Sequence, residues 1–136
     1  MGRRLFELIL GVKRKCQRSE EQIQAELGLS QAQFNGLIVL GDGQEVTGCE
    51  FAQRMALSAS RGSRVLNTLV VDGYVKTRSR SDDRRSIVVS LTPKGRRTKQ
   101  RIIGHMEACE GRICKSLDRE SLRRVVHALE MLEATL

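Results

Sequence analysis

With 136 residues the chain is one domain, or one domain with helical additions, and is long enough to bury a core without disulfides or metal. Its 24 Lys and Arg against 16 Asp and Glu leave a net charge of +8, while 40% hydrophobic residues exclude a disordered basic tail. The aromatic residues are only Phe6, Phe34, Phe51 and Tyr74, which argues against a stacking platform for single-stranded nucleic acid, and no apolar run approaches the ~18 residues of a membrane helix.

From Gly2 to about Arg18, Leu5, Phe6, Leu8, Ile9 and Val12 form a rough helical stripe. Glu7 interrupts its apolar stretch and basic residues follow from Lys13, so a secretory leader is not expected and the protein is placed in the cytoplasm. Ser19 and Gln22 fit a capping box that restarts a helix through Leu27, and Gly28 stops it. Ser30 caps the next helix, with Phe34, Leu37, Ile38 and Val39 inward, and Gly41-Asp42-Gly43 ends it. Thr47 caps residues 48–56, with Phe51, Ala52 and Met55 inward. Leu57-Ser58-Ala59-Ser60 reads as a short turn, with Ser58 capping a helix that buries Val65, Leu66, Leu69 and Val70 and ends near Asp72-Gly73. Two short helices joined by a tight turn make a helix-turn-helix.

Tyr74 to Arg78 alternates as a strand does, Ser79 to Arg85 reads as a polar hairpin tip, and Ser86 to Thr92 is β-branched and bounded by Pro93. The pair makes a β-hairpin wing. Thr92 then caps a final helical region that breaks near Leu117-Asp118 and resumes to residue 136. The expected fold is mainly α with a small β-hairpin wing. A winged helix-turn-helix over 29–95 is flanked by helical dimerisation segments at 1–28 and 96–136.

Charge singles out the middle of this plan. Residues 61–101 hold twelve basic and three acidic side chains, which accounts for the whole net charge. A concentrated basic segment attracts polyanions, most often the phosphates of nucleic acid. A helix fits the major groove and reaches base edges with its N-terminal residues. Ser60, Arg61, Ser63 and Arg64 are therefore the expected readers, and Ser58 gains from its cap position. In the wing, Arg78, Arg80, Arg84 and Arg85 are placed to touch phosphates or enter the minor groove.

The stretch from Leu29 to Gly95 resembles the winged helix-turn-helix of the MarR family of bacterial transcription regulators. Leu29-Ser30-Gln31-Ala32-Gln33-Phe34 is similar to that family's second-helix opening. Leu57 to Leu69 followed by Asp72-Gly73-Tyr74-Val75 is similar to its recognition helix and the turn after it. Asp82-Asp83-Arg84, then six residues, then Leu91-Thr92-Pro93-Lys94-Gly95 resembles its wing signature and its entry to the fifth helix. The resemblance implies that an acid in the wing pairs with an arginine, so Asp82 and Arg84 are expected to shape it. It also implies a two-fold dimer built from the first and last helices. Leu5, Leu8, Ile9, Ile113, Leu117, Val125, Leu129 and Leu132 are the expected dimer contacts, since their stripes exceed what a small winged domain covers. Such a dimer reads two half-sites about 10 base pairs apart, a pseudo-palindromic operator in double-stranded DNA.

Sensing is less defined. Cys16 sits among Lys13, Arg14, Lys15 and Arg18, and cationic neighbours favour a reactive thiolate. Peroxide-sensing members of the family resemble this in placing a cysteine in the first helix, with Cys109 or Cys114 here in the region of a resolving thiol. His105 and Cys109 have a spacing that can bind zinc, but no further ligand has diagnostic spacing, so no metal and no cofactor is expected. Cys49 is expected to pack in the core. A small aromatic effector is the family's commonest theme and stays open beside an oxidant. The leading expectation is a dimeric, sequence-specific regulator, a repressor released by a small molecule or by oxidation. The alternative is a winged-helix module for protein assembly or RNA binding without effector response. No Ser/His/Asp set, paired-carboxylate cleft or phosphate loop suggests an enzyme.

Overall fold

Local capping chemistry sets the element order. The computed structural model describes residues 2–80 and 83–136, with the backbone alone for 83–85. Helices α1 (Gly2–Leu27) and α2 (Gln31–Val39) lead into strand β1 (Val46–Thr47), then α3 (Gly48–Arg54) and α4 (Ala59–Val71). Strands β2 (Val75–Arg80) and β3 (Asp83–Leu91) follow, then α5 (Pro93–Ser116) and α6 (Arg119–Thr135). The chain divides into two units, residues 1–100 and 101–136.

Gly28, at φ +68°, ends α1, and the Leu29 amide bonds back to the Gln24 carbonyl at 2.9 Å. This six-to-one closure needs a left-handed residue, which glycine adopts without a Cβ penalty. Ser30 then starts α2 with a full capping box: its Oγ accepts from the Gln33 amide, and the Gln33 side chain accepts from the Ser30 amide. The expected restart at Ser19 does not occur, and α1 runs through it unbroken. No helix terminator precedes Ser19, so its serine–glutamine spacing has no helix start to serve.

The core of the first unit gathers Phe34, Leu37 and Leu40 from α2 and its end, Phe51 from α3, Leu66 and Leu69 from α4, and Val75, Val89 and Leu91 from the wing. Ile38 and Val70, expected inside, are exposed, because Gln33 and Gly36 occupy the inner side of α2 and Gly62 that of α4. Close approach explains both glycines. A Cβ on Gly36 would stand 2.9 Å from Leu69 Cδ1, and one on Gly62 only 2.6 Å from Ala52 Cβ. The sheet is antiparallel in the order β1-β3-β2, with Val46 opposite Val89 and Thr77 opposite Val89 on the other side. β1 is a strand that the sequence pattern did not suggest. The hairpin is also longer than expected, with pairing that reaches Arg80 and Asp83. In the second unit, Asp118 caps α6 by accepting from the Ser121 amide, which places the break where it was expected. Among the described residues no helix is long and apolar enough to cross a membrane.

Candidate nucleic-acid interface

The turn between α3 and α4 is made without glycine. Ala56 takes φ +55°, and the Leu57 amide closes back on the Ala52 carbonyl at 2.9 Å. A side chain in this region costs roughly 1–2 kcal/mol. Ser58 follows directly as the cap of α4, its Oγ accepting from the Arg61 amide at 3.3 Å. Gly62, Leu66 and Leu69 fill the inner face of α4. Helical periodicity then turns Ser60, Arg61, Ser63 and Arg64 outward, and all four are exposed. Ser63 also borders a cleft of about 260 Å³ lined by Thr47, Cys49, Leu66 and Ile87. Among the described residues no carboxylate pairs with Arg61 or Arg64.

The base of the wing is tied to both neighbouring helices. Thr92 Oγ1 donates to the Gly73 carbonyl at 2.6 Å and accepts from the Gly95 amide at 3.0 Å, capping α5. Lys94 donates to the Asp72 carbonyl at 2.7 Å and lies 4.6 Å over the Tyr74 ring. Gly95 passes so close to Tyr74 that a Cβ would stand 1.9 Å from its carbonyl oxygen. Each residue of the Leu91-Thr92-Pro93-Lys94-Gly95 stretch thus has a packing or bonding reason, Leu91 being buried and Pro93 opening the helix. Gln33 closes the far end of α4 by donating to Asp72 Oδ2 at 2.7 Å.

Arg78, one of the expected phosphate contacts, is engaged. Its Nε and NH2 groups reach Glu45 Oε1 and Oε2 at 3.1 and 2.5 Å. This bond holds the Glu45 carboxyl below its usual range and raises the Arg78 guanidinium further. Sequence reasoning missed Glu45 because 33 positions separate it from its partner. Arg80 is exposed on the same strand. Asp82 and the side chains of Arg84 and Arg85 lie outside what the structure describes, so the expected acid–arginine pair of the wing does as well.

The other expected residues are spread over helix surfaces. Leu5 and Leu8 are exposed on α1, with Ile9 half-buried; Ile113 on α5, Leu117 after it, and Val125 and Leu129 on α6 are exposed, with Leu132 half-buried. Cys16 is exposed beside a cleft of about 430 Å³ lined by Lys13, Gln17, Glu20 and Gln31. Cys49, expected in the core, is exposed instead, because it is the second residue of a short helix whose inward positions are Phe51 and Ala52. Cys109 lies 3.8 Å from His105 Nε2 and accepts from Arg112 at 3.1 Å, and Cys114 is exposed. Among the described residues no group of three His, Cys, Asp or Glu is placed to hold a metal ion.

The MarR family model matches residues 27–86, which contain α2, the helix-turn-helix and most of the wing. The chain belongs to the MarR family. The uncharacterized protein Rv2011c of Mycobacterium tuberculosis is 33% identical over 120 residues, 83% of each chain. The HTH-type transcriptional repressor YetL of Bacillus subtilis is 30% identical over 104 residues, 74% of this chain and 62% of that protein. In fold, the protein is similar to Streptococcus pneumoniae FabT in complex with DNA, with a TM-score of 0.87 at 18% identity over 99% and 96% of the two chains. Fold and family are those of a DNA-binding transcription regulator, and the mostly helical winged helix-turn-helix expected from the sequence is the architecture observed.

Proposed function

We propose that this MarR-family protein is a homodimeric repressor that places α4 of each subunit in the major groove of a pseudo-palindromic operator. The observation that carries the reading is the α4 N-terminus: Arg61 and Arg64 stand exposed, with no carboxylate paired to them among the described residues, on a helix turned outward by Gly62, Leu66 and Leu69. Arginine forks suit guanine edges. Ser60 and Ser63 read the groove beside them, Ser58 at the helix start favours a backbone phosphate, and Arg80, Arg84 and Arg85 of the wing hold phosphate or the minor groove, with Arg78 beside them on Glu45. Asp82 and Arg84 keep the shape of the wing tip. Support for repression comes from YetL, a transcriptional repressor, and support for DNA binding from FabT, solved in complex with DNA. The dimer forms through Leu5, Leu8, Ile9, Ile113, Leu117, Val125, Leu129 and Leu132, which present apolar surface on the isolated chain.

A signal releases the operator. The exposed Cys16 beside its polar cleft favours an oxidant, with Cys109 or Cys114 as resolving thiol; a small aromatic effector is the other form of the same reading. One experiment tests the scheme. An operator is selected from a random duplex pool and titrated with wild type, Arg64→Ala, Arg80→Ala and Cys16→Ser, each reduced and after mild peroxide. Arg64→Ala should lose about 1–3 kcal/mol on the operator and relax its preference, whereas Arg80→Ala should weaken all duplexes alike. Peroxide should weaken the wild type, and Cys16→Ser should abolish the response. Equal losses for Arg64→Ala on operator and random DNA would refute base reading, and affinity indifferent to peroxide would refute oxidative release.

A further inference from the structure

The wing carries an ion pair that the net charge hides. In the sheet order β1-β3-β2, Glu45 immediately precedes β1 and Arg78 lies on β2, so the carboxylate reaches across β3. Arg78 stands opposite Val88 in the β2–β3 register, and Thr47 stands opposite the same valine from the β1 side. Glu45 is two residues before Thr47 and therefore shares its face of the sheet, as Lys76 shares that of Arg78. Both carboxylate oxygens are used on Arg78, and Lys76 adds its own attraction to Glu45. Two of the five guanidinium N–H groups are occupied, and the pair is neutral as a unit. Among the described residues no ion pair holds the neighbouring Lys76 or Arg80.

We propose that Glu45 masks Arg78, withholding one positive charge from DNA phosphate along the wing and lowering affinity for every duplex alike. This rests on the DNA-interface reading above. Counterion release counts charges, so a neutral pair adds nothing to the salt dependence of binding. The side chains are 59% and 50% exposed, and such a pair is weakly held and screened by salt. Phosphate can displace the carboxylate, but the displaced carboxylate then stands beside phosphate and repels it. Glu45 is thus a positioning residue: it parks Arg78 along the sheet and sets the strength of sequence-independent attraction.

The test measures affinity of the full chain for a random duplex of about 20 base pairs, two half-sites long, across about 50 to 200 mM salt. Glu45→Gln frees one cation, so its log–log salt slope should steepen by about 0.9, and its affinity should fall about threefold more than that of wild type across the series. Glu45→Ala makes the same charge change with a different side chain and should give the same slope. The double variant Glu45→Gln/Arg78→Gln should return to the wild-type slope, and Arg78→Gln alone should flatten it. An unchanged slope in Glu45→Gln overturns masking. A flatter slope overturns it too, and shows that the carboxylate aims Arg78 at phosphate. A wild type that binds no duplex would overturn the DNA-interface reading and this proposal with it. Masking alone fails if wild type binds and the variant slopes coincide.

Discussion

The winged segment and the last helix treat their apolar residues in opposite ways. Between Leu29 and Leu91 most large apolar side chains are inside, and the close contacts at Gly36, Gly62 and Gly95 show backbone packed against backbone and side chain. α6 buries none of its residues, although Val125, Val126 and Leu129 stand on it at helical spacing. Burying one such side chain is worth about 1.5–3 kcal/mol. The winged segment therefore meets its own hydrophobic demand, whereas α6 carries apolar surface that the isolated chain leaves in water. One region holds its own shape; the other leaves an apolar face for the proposed two-fold contact.

The sharpest way to break that contrast is to change Leu129 and Leu132 together to Asp. On the proposed two-fold contact this buries uncompensated charges at several kcal/mol each. Sedimentation should report monomers and operator binding should vanish, while far-UV circular dichroism keeps the helical signal of the winged segment. A dimer that still binds DNA would remove both residues from the interface. Next in size is Gly95→Ala. A Cβ placed 1.9 Å from the Tyr74 carbonyl oxygen has nowhere to go, because a backbone group is in the way. The expected loss is about 4 kcal/mol or more, read by denaturant titration, and a variant as stable as wild type would refute the account of the wing base. The smallest effect is a gain. Ala56→Gly relieves the left-handed strain in the turn and should stabilise by about 0.5–1 kcal/mol. A lowered denaturant midpoint would show that the alanine side chain contributes more than its backbone strain costs.

Much of the fold was legible because its boundaries are chemical. Ser30, Thr47, Ser58 and Asp118 all cap helices, and Gly28 and Gly73 adopt the positive φ that ends them. Ser19 lies inside α1 for a physical reason. Its spacing to Gln22 is the same as that of Ser30 to Gln33, but only Ser30 follows a terminating glycine, and a capping box works only where the preceding backbone has left the helix. Ala56 gave no signal, since a left-handed alanine looks like any other. β1 was invisible because two residues show no alternation, and its pairing with β3 lies more than 40 positions along the chain. The outward row of α4 was readable from periodicity alone. What periodicity could not supply was Glu45, whose role exists only once three strands lie side by side. Cys49 was misplaced because its residue type suggests burial, while its position at the start of α3 decides otherwise.

That misplaced thiol is also a handle. Cys49 lines the cleft that Ser63 of α4 and Ile87 of β3 share, beside the row proposed to meet DNA. With Cys16, Cys109 and Cys114 replaced by Ser, a small environment-sensitive fluorophore attached there would sit at the seam between α4 and the wing. Its emission would report the arrival and departure of a duplex in real time, without altering any arginine of the interface.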